Sequence, residues 1–132
     1  MSGSSSMGFA FNRTRHAYLA TELSVAKTHW SRLRGLMCTD AARFPAGRGL
    51  WIVPCHGVHT FAMNFPIDII YLDSERIVVH LEESLKPWRV ARVSMRAASV
   101  LELPCQTLKS SGTSIGDEIE ITMGQSPQAG SA

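Results

Sequence analysis

The chain predicts a mainly β domain: a compact antiparallel β-sandwich or barrel-like fold with one short α-helix near residues 26–36. Three observations carry that prediction. Six or seven short apolar runs recur along the sequence, most of them bounded by Pro, Gly or Asp. The run Glu118–Met123 alternates strictly, with Ile119, Ile121 and Met123 on one side and Glu118, Glu120 and Thr122 on the other. Helical spacing is convincing in one stretch, where Ala26, Trp30, Leu33 and Met37 follow one another at intervals of four, three and four.

A length of 132 residues fits one domain with a real hydrophobic core. Apolar residues at 45% and charged residues at 18% exclude a disordered or fibrous chain. We expect residues 1–12 to be a disordered leader, residues 13–123 a single β-rich domain, and residues 124–132 a disordered tail. Met1–Ser6 in particular reads as an added leader ahead of a second start at Met7.

In chain order, Ala17–Val25 alternates imperfectly and suggests a first strand, and the helix follows it, closing near Gly35. Thr39–Gly49 is a loop by composition, with Pro45, Gly47 and Gly49. Leu50–Val53 is a short apolar strand ended by Pro54. A further strand over Val58–Met63 sets His59, Phe61 and Met63 on one side. Ile67–Leu72 follows, with Asp68 as a carboxylate on an otherwise apolar strand. Asp73–Arg76 turns the chain into a return strand at Ile77–Leu81, Lys86–Arg89 is a loop, and Val100–Leu103 is a strand ended by Pro104. Cys105–Ser110 suggests one helical turn, and Gly116-Asp117 turns the chain into the last strand.

The net charge is only +2, but its distribution is uneven. Asn12–Arg48 holds seven Arg or Lys against two acids, and Lys86–Arg96 holds four cations and no acid. These read first as solvated faces and ion-pair partners for the acidic strands. Basic runs interleaved with aromatics are absent, so a nucleic-acid partner is not indicated. Three cysteines without a Cys-x-x-Cys pair give neither a disulfide framework nor a zinc knuckle and fit a reducing, cytoplasmic compartment. No apolar run approaches the roughly 18 residues of a membrane helix, so no membrane association is expected.

Chemistry-bearing residues concentrate in Leu50–Asp73. Cys55 and His59 have the residue types of a nucleophile and base, or of two metal ligands, but equally of a buried thiol and a hydrogen-bonded core histidine. Asp68 must be paired where it is buried, with backbone, with His59 or with an arginine such as Arg89. His56 and His80 add nitrogen donors without a standard metal spacing, so neither metal nor cofactor is expected. Walker-type and dinucleotide glycine loops and Gly-x-Ser-x-Gly are absent.

Gly35-Leu36-Met37, Cys55 followed by Val58-His59-Thr60-Phe61, Met63-x-Phe65-Pro66-Ile67-Asp68, Lys86-Pro87-Trp88-Arg89, Val100-Leu101-Glu102-Leu103-Pro104 and Gly116-Asp117 form an ordered series. Over Thr21–Ile121 it resembles the family called domain of unknown function 192. The sequence departs from that pattern at Cys105-Gln106 and at Ser74-Glu75-Arg76. The resemblance implies a compact, mainly β domain of bacterial or archaeal type and no established activity. The shared positions are Cys55, His59, Met63, Asp68, Pro87, Trp88, Glu102 and Asp117.

The leading expectation is therefore a non-enzymatic domain that binds a small polar or anionic ligand, or a protein partner, at His59, Asp68, Trp88 and Arg89. One alternative is a thiol or metal-assisted hydrolase using Cys55, His59 and Asp68. In the other, His59 and Asp68 serve the fold alone.

Overall fold

A computed structural model of the chain describes residues 7–27, 44–57 and 65–127. These form seven strands and one short helix: β1 (Gly8–Asn12), β2 (Ala17–Ala26), β3 (Arg48–Ile52), β4 (Ile67–Leu72), β5 (Val78–Leu85), β6 (Ser99–Pro104), α1 (Thr107–Ser111) and β7 (Ile119–Met123). They make one curled sheet, a half-barrel, in the order β5-β4-β6-β3-β2-β1-β7. The mainly β, barrel-like prediction holds, with one parallel pair, β2 with β3, in an otherwise antiparallel sheet.

The expected leader is corrected at its end. Gly8–Asn12 is a full strand between β2 and β7. Its pattern inverts the usual rule, because the buried positions are Gly8, Ala10 and Asn12 while the phenylalanines are only half-buried. Phe9 and Phe11 instead pack edge-on against Tyr18 of β2, with ring centroids 5.8 and 4.8 Å apart. The expected helix at 26–36 lies outside the described residues beyond Lys27, and Ala26 closes β2. The strand expected at 58–63 also lies outside them.

β4 and β6 divide the core into two clusters. Ile70, Leu72, Leu101 and Leu103 face one way, with Leu19, Leu23, Trp51, Leu108 and Ile119. Ile67, Ile69, Tyr71 and Val100 face the other, joined by Phe44, Ala91 and Ala97 from the loops. Every residue of β4 is buried, so this strand separates two apolar layers.

The edges of the sheet approach each other at one end. Ile77 bridges Glu118, the Val78 amide donates to Asp117 O, and the Gly116 amide donates to Val78 O. A buried polar network fixes this corner. The Asp117 carboxylate accepts from Asn12 Nδ2 at 3.0 Å, Arg15 Nε at 3.0 Å and the Ser114 amide at 2.9 Å. Burial raises the Asp117 pKa, but these hydrogen bonds and the Arg15 charge outweigh it and hold the carboxyl below its ordinary value.

Candidate functional site

Asp68 is fully buried, and backbone amides satisfy it. Oδ1 accepts from the Ser84 amide at 2.8 Å and Oδ2 from the Leu108 amide at 2.9 Å. The second bond takes up a donor in the first turn of α1, whose preceding residue, Gln106, makes no side-chain cap. The first bond stabilises Ser84, which sits at φ 54° near the end of β5. Asp68 thus fixes the point from which the chain leaves the sheet toward Lys86–Arg96.

Cys55 lies elsewhere. Strand alternation turns Asp68 toward the layer of Ile70 and Leu72, whereas Cys55 packs against the layer of Ile69 and Tyr71. The sheet stands between the two side chains. Cys55 Sγ donates to Gly57 O at 2.9 Å, a bond only the protonated thiol makes. His59 lies outside the described residues. Among the described residues no three His, Cys, Asp or Glu side chains converge as metal ligands.

The segment after β5 has a different character. Pro87 and Trp88 turn the chain, with Trp88 at φ 63°. Arg89, Arg92 and Arg96 are exposed, and so are the large apolar side chains of Trp88, Val90, Val93 and Met95, at 62–77%. Large apolar groups so interleaved with arginine are unusual on a closed surface.

Although its side chains face solvent, this segment is anchored. Ala91 and Ala97 are buried in the second core layer. The Tyr71 hydroxyl donates to Arg92 O, and burial followed by the nearby Glu82 charge pushes the Tyr71 pKa well up, so the phenol stays a donor. The Ser94 amide donates to His56 O at 2.9 Å and the Cys55 amide to Ala98 O at 2.9 Å. His56 Nδ1 lies 2.7 Å from Ala97 O, and because a carbonyl only accepts, Nδ1 carries the proton. Gly57 sits at a close approach, since a Cβ there would lie 3.0 Å from Arg92 O and 3.3 Å from Val93 Cα and the neighbouring backbone would have to give.

Between this segment and β5 runs an open groove of about 360 Å³, lined by Val79, His80, Arg92, Ser94, Met95 and Arg96 among others. His80 stacks edge-on against Tyr71, with centroids 4.9 Å apart, and its Nε2 lies 3.0 Å from Glu82 Oε2. The groove therefore combines two guanidinium groups, an imidazole and a hydroxyl with aliphatic walls. Of the expected ligand-binding residues, Trp88 and Arg89 lie on this segment and Asp68 sets its starting point. Arg92, Arg96 and His80, which line the groove, were not among the expected residues. The only signal for the arginines was the acid-free run Lys86–Arg96, and it also fitted a solvated face.

A second buried acid stands apart from the groove. Glu102, between Leu101 and Leu103 on β6, is 2% exposed, with Leu50 and Ile69 as its cross-strand neighbours. Its Oε1 has no hydrogen-bond partner among the described residues, and burial pushes its pKa up to about 8. At neutral pH it is mostly a neutral acid.

Comparison with known proteins agrees with this picture of the fold. A UPF0127 protein of Thermococcus sibiricus is 32% identical over 114 residues, covering 83% of this chain and 71% of its own length. A UPF0127 protein of Pyrococcus abyssi is 29% identical over 119 residues, covering 86% of this chain and 97% of its own. Two crystal structures share the fold. A protein of unknown function from Novosphingobium aromaticivorans superposes with a TM-score of 0.74 at 18% identity, covering 87% of this chain and 84% of its own. A protein from Sinorhizobium meliloti 1021, described as a candidate transcription regulator, gives a TM-score of 0.73 at 21% identity, covering 92% and 96%. The family model DUF192, "Uncharacterized ACR", matches residues 10–121, and with that span of sequence and this fold the chain belongs to the DUF192 family.

Proposed function

We propose that the protein is a binding domain, not an enzyme, and that its working face is Lys86–Arg96 together with the adjacent groove, which takes an anionic partner. One observation carries the reading: a segment anchored at both ends exposes four cations, four large apolar side chains and no acid. Arginine suits carboxylate or phosphate through its planar fork of donors, and anchoring lowers the ordering cost of binding. Asp68 belongs to this proposal as a positioning residue that sets the exit of β5.

The thiol-enzyme alternative has less support, because the Cys55 thiol donates to Gly57 O and the sheet separates it from Asp68. We also propose a cytoplasmic location, which suits a chain with three cysteines and no Cys-x-x-Cys pair. No helix among the described residues is long and apolar enough to cross a membrane.

Binding of three labelled polyanions tests the function: poly-glutamate, single-stranded oligothymidylate and phosphatidylglycerol vesicles. At least one is expected to bind, more weakly as salt rises. Changing Arg92 and Arg96 together to Glu should abolish that binding and leave the melting temperature nearly unchanged. Failure of all three to bind, or binding indifferent to the charge reversal, refutes the reading.

A further inference from the structure

Building on that reading, we infer that the natural partner is an acidic peptide segment of another protein whose apolar side chains alternate with its carboxylates. Charge alone does not choose among polyanions, but the distribution of apolar surface does. The arginines would satisfy a phosphate backbone or a simple anion and leave Val90, Val93 and Met95 in water. Trp88 at the start of the segment offers one ring on which a single base can stack, but Val90, Val93 and Met95, which follow it, are aliphatic and poor platforms for successive bases.

The groove has a shape and an electrostatic border that argue in the same direction. It is open and lined by Val79 and His80 of β5 and by Arg92, Met95 and Arg96 of the segment, with room for a side chain or a narrow chain segment. A bilayer or a duplex would present a broad anionic surface that also meets Glu82 and the exposed Glu83 on β5. A peptide a few ångströms across can place its carboxylates on Arg92 and Arg96 and avoid Glu83, while Glu82 beside the groove is already engaged by His80 Nε2 at 3.0 Å. Met95, flexible and polarisable, adapts to whichever apolar side chain arrives. Recognition of acidic motifs by arginine clusters is an established mode of peptide binding.

Fluorescence anisotropy with a labelled peptide alternating glutamate and leucine, beside poly-glutamate of the same charge, tests the assignment. The alternating peptide should bind at least about tenfold more tightly than poly-glutamate. Val93→Ser with Met95→Ser should remove that advantage. Arg92→Ala with Arg96→Ala should weaken both. All four side chains are exposed, so the variants are expected to keep the wild-type melting temperature, and circular dichroism verifies this. Equal binding of the two peptides, or an advantage that survives the serine variant, overturns the inference. If oligothymidylate or vesicles bind in a charge-dependent way while the alternating peptide does not, the peptide assignment is wrong and the anionic-partner reading stands. If nothing anionic binds, both fall.

Discussion

Replacing Glu102 by Gln should change how the stability of the fold depends on pH. In the folded state the carboxyl is pushed from 4.5 up to about 8 by burial, with Oε1 unpartnered among the described residues. Between those two values the unfolded chain has released the proton and the folded chain still holds it, so stability falls as pH rises. Each unit of difference is about 1.4 kcal/mol, and the gap corresponds to about 5 kcal/mol in all, a large share of the ~5–15 kcal/mol of a typical domain. Glutamine has nearly the same shape and does not titrate. Urea denaturation from pH 5 to pH 8 should show wild-type stability declining by up to about 1.4 kcal/mol per unit, and a clearly flatter profile for Glu102→Gln. The comparison uses slopes, so any constant penalty from the glutamine amide cancels. Parallel profiles for the two proteins would show that Glu102 ionises normally and that its burial has been misjudged.

Three further outcomes follow from the structure. Asp68→Ala orphans the amides of Ser84 and Leu108 and should cost about 3–5 kcal/mol in urea denaturation; a loss under about 1 kcal/mol would mean water replaces the carboxylate. Asp117, held below its ordinary value of 3.8, contributes stability that is complete above that value and lost as pH falls through the folded pKa. Asp117→Asn should therefore flatten the acid limb of the profile below about pH 4, and an unchanged limb would refute the network's role. Gly57→Ala forces the 55–57 strap away from Arg92 and Val93, costs about 1–3 kcal/mol, and should speed tryptic cleavage after Arg92 and Arg96; unchanged cleavage would mean that the strap does not hold the segment.

The strands were most readable where burial and alternation agree. Ile67–Leu72 was located residue for residue, and the last strand within one residue. β1 escaped because its buried face is built of Gly8, Ala10 and Asn12, whose small size marks close packing between strands rather than a hydrophobic stripe. The requirement that Asp68 be paired followed from desolvation alone, but its partners did not. They are amides of Ser84 and Leu108, 16 and 40 residues away, and backbone donors leave no mark in a sequence. The cationic run at Lys86–Arg96 was visible, but the exposure of Val93 and Met95 was not. Apolar residues in a β-rich chain are expected to face inward, and only the anchors at Ala91, Tyr71 and His56 show why these do not.

The corner where Ile77 meets Glu118 also bears on how the protein avoids self-association. An open sheet has two edges that can recruit strands from other molecules. Here the 116–119 segment occupies the start of β5, so of that edge strand only the far part remains open among the described residues, and the other edge is the outer side of β7. That part carries Glu82 and Glu83, a bulge at Ser84 and then Lys86-Pro87, each of which discourages a strand from adding. The same sequence that leads the chain into its cationic face thus guards the sheet against edge-to-edge growth. A variant that loosens the corner is expected to lose solubility before it loses its secondary structure.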